Sequence, residues 1–187
     1  MEYKDFYPEL FEYKSQHITP EFKAWFKNSK VVDSDGNPLR VYHGTSKDKD
    51  FSKFKDQPNG IWFTASQKEA SAYAKQNDSM VTRYDPRDGF THKNTSARVI
   101  PVYLSIQNPA KLTDEQLKQL KYATNYRKAQ REVFGGLKSQ GYDGIIFSDQ
   151  FGLEFGDSVF AVFSPSQIKS AMSNSGKFDP SDHNIGK

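Results

Sequence analysis

An α+β domain with a largely antiparallel core is what this sequence predicts, and three observations lead there. The β-type runs are short. Helical stretches and loops separate them without a regular βαβ rhythm. No segment repeats at a fixed period. At 187 residues, the chain fits one domain with short extensions and is long enough for a real core.

The elements follow in order. Residues 1–18 are polar and aromatic and read as an N-terminal arm. Thr19-Pro20-Glu21 opens a helix, with Thr as the N-cap, Pro at the first helical position and an acid in the first turn. Phe22, Trp25 and Phe26 then form an apolar stripe at i, i+3 and i+4. Val31-Val32 precedes the turn signal Asp33-Ser34-Asp35-Gly36-Asn37-Pro38, and residues 39–43 read as a strand. A second β-type run, Ile61 to Thr64, follows Asn59-Gly60. Ser66 and Glu69 form a capping-box pattern for a helix carrying Ala70, Tyr73 and Ala74 on one face. Residues 76–98 are polar and read as a long loop, of the kind that in a compact domain is functional or disordered. A buried strand is expected over 99–106. Thr113 to Gln116 repeats the capping-box pattern. A further helix places Tyr126, Ala129, Val133 and Leu137 inward and stops at Gly141. Gly144 to Phe147 and Val159 to Phe163 read as two more buried strands. Beyond Met172, Ser, Asn, Gly, Asp and Pro dominate, so residues 173–187 are expected to be a flexible tail. The main domain spans 19–172.

Composition narrows the function. Apolar residues make up only 35%, whereas aromatics reach 14% with 15 Phe and 10 Tyr, so aromatic rings must build much of the core or a binding surface. The absence of cysteine excludes disulfides, thiolate nucleophiles and thiolate zinc sites and agrees with a reducing cytoplasm. Neither a signal-peptide pattern nor a run of about 20 apolar residues is visible, so no membrane attachment is expected. Net charge is only +3, but residues 111–138 hold seven basic and three acidic side chains.

The phosphate-binding, nucleophile-elbow and zinc-protease patterns are all missing, and the four histidines are scattered, so no metal site is expected. What remains is "RVYHGTS" at 40–46. A histidine beside a glycine at a strand end is either an incidental imidazole in a turn or a place where a ligand lies against backbone.

Two further fragments bear on that choice. "YHGT" is followed by "GIWFTAS" and by Tyr73, eleven residues after Trp62. This series resembles the ADP-ribosyltransferase fold of the diphtheria-toxin and poly-ADP-ribose polymerase type, a split β-sandwich of mainly antiparallel strands with flanking helices. "TPEFKAWFKNSKVVDSDGNPLRVYHGT" and "FSPSQIKSA" look closer still to the ADP-ribosyltransferase-like domain of phage polyvalent proteins and mobile-element toxins. The likeness covers residues 19–172. It implies that NAD is the co-substrate and that ADP-ribose passes to a macromolecule with loss of nicotinamide. It also implies a cytoplasmic toxin or defence effector in a bacterial host, neutralised by an antitoxin.

The likeness further implies a set of site residues. His43 would hydrogen-bond a ribose hydroxyl, and the Gly44 backbone would grip the carboxamide. Trp62 and Tyr73 would sandwich nicotinamide, with Thr45 and Phe63 beside them. Nicotinamide leaves through an oxocarbenium-like state that a carboxylate can stabilise. Ungapped counting puts Val159 where the family's acid commonly stands. Glu154 and Asp157 in "GLEFGDS" are the nearest acids and the joint candidates. Other readings stay open: an NAD hydrolase or RNA 2′-phosphotransferase-like enzyme on the same fold, or a degenerate domain that binds NAD or a partner protein. For the acceptor, Lys118, Lys121, Tyr122, Tyr126, Arg127, Lys128, Arg131 and Lys138 interleave positive charge with aromatic rings. They fit a nucleic acid, to which Arg83, Tyr84, Arg87, His92 and Lys93 would add. A solvated helix face and a protein acceptor are the competing readings.

Overall fold

The computed structural model of the chain describes residues 18–46, 52–79, 82–85, 89–92, 97–147, 158–172 and 174–187. The N-terminal arm therefore lies almost wholly outside the described residues, as do Glu154 and Asp157.

The architecture is α+β. A mainly antiparallel sheet has the order β6-β7-β8-β2-β1-β5-β9, formed by β1 (Val41–Thr45), β2 (Ile61–Thr64), β5 (Arg98–Leu104), β6 (Pro109–Ala110), β7 (Gly144–Phe147), β8 (Val159–Val162) and β9 (Ile168–Ser170). Among the described strands, only β6 and β7 run parallel. The helices are α1 (Pro20–Phe26), α2 (Gln67–Ser79), α3 (Asp114–Lys121) and α4 (Tyr126–Ser139). The expected long loop at 76–98 instead contains the end of α2 and a hairpin of β3 (Thr82–Asp85) and β4 (Gly89–His92). Main-chain pairing makes these strands, and no apolar alternation in the sequence announces them.

Local signals set the helix ends. The Thr19 hydroxyl accepts from the Phe22 N–H, with Pro20 in the first turn. Thr113 and Gln116 exchange both bonds of a capping box. The chain leaves α4 through Gly141, whose φ of 88° suits glycine.

The alternation of each strand divides the core between two faces. One face carries Val41, Ile61, Phe63, Val102, Leu104, Phe160, Val162 and Ile168, packed with Val31, Phe54 and Ile185. The other carries Ile145, Phe147 and Ala161 under Val133, Phe134 and Leu137 of α4. Phe22, Trp25 and Phe26 of α1 cluster around Phe178. Rings do build much of the core, as the composition requires.

Residues 174–187 pack against the rest of the domain. Phe178 is 2% exposed and meets the rings of Phe22 and Trp25. Lys169 of β9 is fully buried. Its ammonium donates to the carbonyls of Asp182, Asn184 and Lys187, bonds that compensate a buried charge. Burial pulls its pKa below the ordinary lysine value, against the opposing attraction of Asp182 and Asp179.

Gln167 explains the "SPSQI" stretch. Its amide donates to the carbonyls of Ser105 and Asp143, and its oxygen accepts from the Ser164 N–H. One side chain thus ties together the ends of β5, β7 and β8.

Candidate active site

Strand β1 is paired unequally. Five residues pair with β5, from Val41↔Val102 to Thr45↔Arg98. The register with β2 is a single pair, Tyr42↔Thr64. The sheet is continuous across this seam between β2 and β1.

His43 crosses this seam. Its Nδ1 lies 2.9 Å from the Trp62 carbonyl oxygen. A carbonyl can only accept, so Nδ1 carries the proton. The other ring nitrogen, Nε2, is then the acceptor of the neutral imidazole. Phe54 and Phe63 hold the ring edge-on and tilted, with centroids at 5.0 and 5.5 Å. A side chain thus adds a bond between the two strands, and that bond sets the ring's tautomer.

Gly44 faces the other way, toward α2. A β-carbon built on it would stand 2.0 Å from the Ala70 carbonyl oxygen and 3.1 Å from the Ala74 nitrogen. The strand and the helix backbone are therefore in direct contact, and only glycine permits it. The close approach at Gly44 is made by a helix of the chain itself. That demand for glycine is separate from any ligand's.

Trp62 points to the face opposite His43. It stacks on Phe147 at 5.3 Å and 16°, meets Phe134 at 5.7 Å and donates its indole N–H to the Asn59 carbonyl. Phe63 is the ring on the His43 side, and Thr45 is buried on that side too. Tyr73, on α2, is 59% exposed. The structure thus packs His43 on Phe63, puts Thr45 on the same face, leaves Gly44 against α2, and holds Trp62 among core rings with its carbonyl on His43.

One contact was not foreseen. The Thr64 hydroxyl donates to the Glu69 carboxylate at 2.7 Å while accepting from the Ser66 N–H at 3.1 Å. The Glu69 N–H donates to the Ser66 hydroxyl at 3.3 Å. Half of the expected capping box is present. The Glu69 carboxylate reaches past the cap to β2, where a simple box would turn it back to Ser66. The S-x-x-E spacing announced the cap, but nothing local announced the acceptor. Val159, at the head of β8, pairs with Thr64.

The model of the family described as ADP-ribosyltransferase in polyvalent proteins matches residues 33–178. The chain belongs to this family. No curated protein and no solved structure matches it. ADP-ribosyltransferases use NAD as co-substrate, and the His-Gly pair of this ADP-ribosyltransferase domain lies on β1. Among the described residues no group of three or more His, Asp or Glu could hold a metal ion, and no helix is long and apolar enough to cross a membrane.

On the far side of the sheet, α3 and α4 present the basic segment. Tyr122 is 74% and Tyr126 52% exposed. The Lys121 ammonium lies over the Tyr122 ring, 5.5 Å from its centroid. Partial burial raises the Tyr126 phenol above its ordinary pKa. A shallow depression between these helices is lined by Lys118, Tyr122, Asn125 and Lys128. Lys128 also approaches Glu132 at 3.9 Å, so part of the positive charge is answered locally.

Proposed function

We propose that the protein transfers ADP-ribose from NAD to a nucleic acid, releasing nicotinamide, and acts inside a bacterial cell as a toxin or defence effector. The observation that supports the transfer best is the His43 bridge between β1 and β2. The bond to the Trp62 carbonyl fixes the ring's orientation, and a ribose hydroxyl, which both donates and accepts, would hydrogen-bond the ring in that orientation. The exposed Tyr73 ring supplies a stacking face for the cationic nicotinamide, an interaction of about 0.5–2 kcal/mol. Trp62 backs the seam through its carbonyl, while Thr45 and Phe63 wall it on the His43 side.

The nucleic-acid acceptor draws support from the exposed tyrosines and cations of α3 and α4, where bases can stack and phosphates can pair. Incubation with labelled NAD and a bacterial lysate tests both parts. Label that survives protease, disappears with nuclease and is lost in His43→Ala is the expected result. Label confined to protein overturns the acceptor, and full labelling by His43→Ala overturns the site.

Val159, at the place of the expected acid, favours a second reading, a domain that binds NAD without turnover. Thermal stabilisation by NAD with no nicotinamide release would select it.

A further inference from the structure

From the contacts of Thr64 we infer that Glu69, in the first turn of α2, supplies the carboxylate that steadies the ribose cation during nicotinamide loss. The inference rests on the proposed transfer from NAD.

Three observations converge on Glu69. The strand that resemblance marks for the acid begins with Val159, which has no charge to offer. Thr64 is the register partner of Val159 across β2 and β8, and paired side chains share a face with β-carbons about 5 Å apart. The Thr64 hydroxyl holds the Glu69 carboxylate at 2.7 Å. A carboxylate therefore stands over the pair that the acid would occupy, delivered from the helix. In addition, Glu69 and Tyr73 are four residues apart on α2, so they lie on one stripe of the helix. The ring proposed to stack on nicotinamide and this carboxylate are neighbours, one turn apart.

The chemistry follows from that placement. The bond between the ribose anomeric carbon and the nicotinamide nitrogen breaks, and its electron pair goes to nicotinamide, which leaves neutral. The positive charge passes to the ribose ring, where an anionic oxygen of Glu69 opposes it. A lone pair of the acceptor then bonds to the anomeric carbon, and the acceptor's proton passes to the carboxylate or to water. Thr64 is a positioning residue, since it fixes one carboxylate oxygen without touching substrate.

Glu69→Gln separates this role from helix capping. Glutamine keeps an oxygen to accept from Thr64 and the same backbone N–H to Ser66, but it has no charge. Nicotinamide release should fall about 100-fold or more, while the melting temperature and the thermal shift produced by NAD stay at unmodified values. Adding Val159→Glu to Glu69→Gln, which returns a carboxylate to the same spot from β8, should restore release at least about tenfold. Unchanged release in Glu69→Gln overturns the assignment, and so does loss confined to a Glu154→Gln/Asp157→Asn variant. A fall in melting temperature that matches the loss of release, with no rescue by Val159→Glu, also overturns it, because Glu69 would then be a cap alone. If the unmodified protein binds NAD but releases no nicotinamide, the proposed function fails first, a result distinct from all of these.

Discussion

The two flanks of β1 are built differently. Toward β5 the strand is paired along its whole length, from Val41↔Val102 to Thr45↔Arg98. Toward β2 the register is a single pair, Tyr42↔Thr64, and the His43 side chain adds a bond to the Trp62 carbonyl. The β5 flank continues through β9 to the buried Lys169 and the carbonyls that surround it. The β2 flank carries the His-Gly pair, Thr64 and, through Thr64, Glu69. One flank is thus joined by regular main-chain pairing, and the other is joined in part by a side chain with proposed chemistry. Residues on the β5 flank should therefore affect stability first, and residues on the β2 flank chemistry first.

The largest effect is expected where the flanks meet, at Gly44. In Gly44→Ala the new methyl group would stand 2.0 Å from the Ala70 carbonyl oxygen, so α2 must move as a body and carry Glu69 and Tyr73 with it. Chemical denaturation should show a loss of about 1–3 kcal/mol or more, and nicotinamide release should disappear. Intact stability would break the comparison at its centre.

Next comes Val102→Ala on the β5 flank. Val102 is fully buried opposite Val41, and stability should drop by about 1.5–3 kcal/mol, with release per folded molecule unchanged. Then comes His43→Ala on the β2 flank. It removes one hydrogen bond and should lower stability by only about 1 kcal/mol while abolishing release. If Val102→Ala and His43→Ala change release and stability in the same proportion, the division between the flanks is wrong.

The smallest effect concerns acid, at the C-terminal segment that clasps β9. Hydrogen bonds from Ser181 hold the Asp179 carboxyl below 3.8, and the Asn184 N–H holds Asp182 below it likewise. Carboxyls with a lowered folded pKa stabilise the fold above their unfolded value. The segment should loosen as pH falls from about 4 through the folded values, first seen as faster amide exchange at Ile185. A segment that tightens in acid would contradict the sign.

Much of this was legible in the sequence where the cause is local. Thr19-Pro20, the Thr113–Gln116 box and Gly141 each satisfy backbone groups a few residues away, so their positions in the chain announce them. The His-Gly pair and "GIWFTAS" were readable as two strands that meet. Their faces were not. Alternation places Trp62 opposite its neighbours on β2, but only the register Tyr42↔Thr64 decides that Trp62 and His43 emerge on opposite sides. The packed C-terminal segment escaped for a similar reason. Phe178 and Ile185 are two apolar residues in a polar run, and the core clusters they join are built by residues far away in sequence. Glu69 looked like a cap because its cap is local, whereas its bond to Thr64 reaches out to the sheet.

The His43 bridge has one more consequence. The bond to the Trp62 carbonyl ties a side chain of β1 to the main chain of β2. Trp62 in turn stacks on Phe147 on the opposite face of the sheet. A shift of β2 is therefore felt by rings on both faces, so recognition and architecture share one joint.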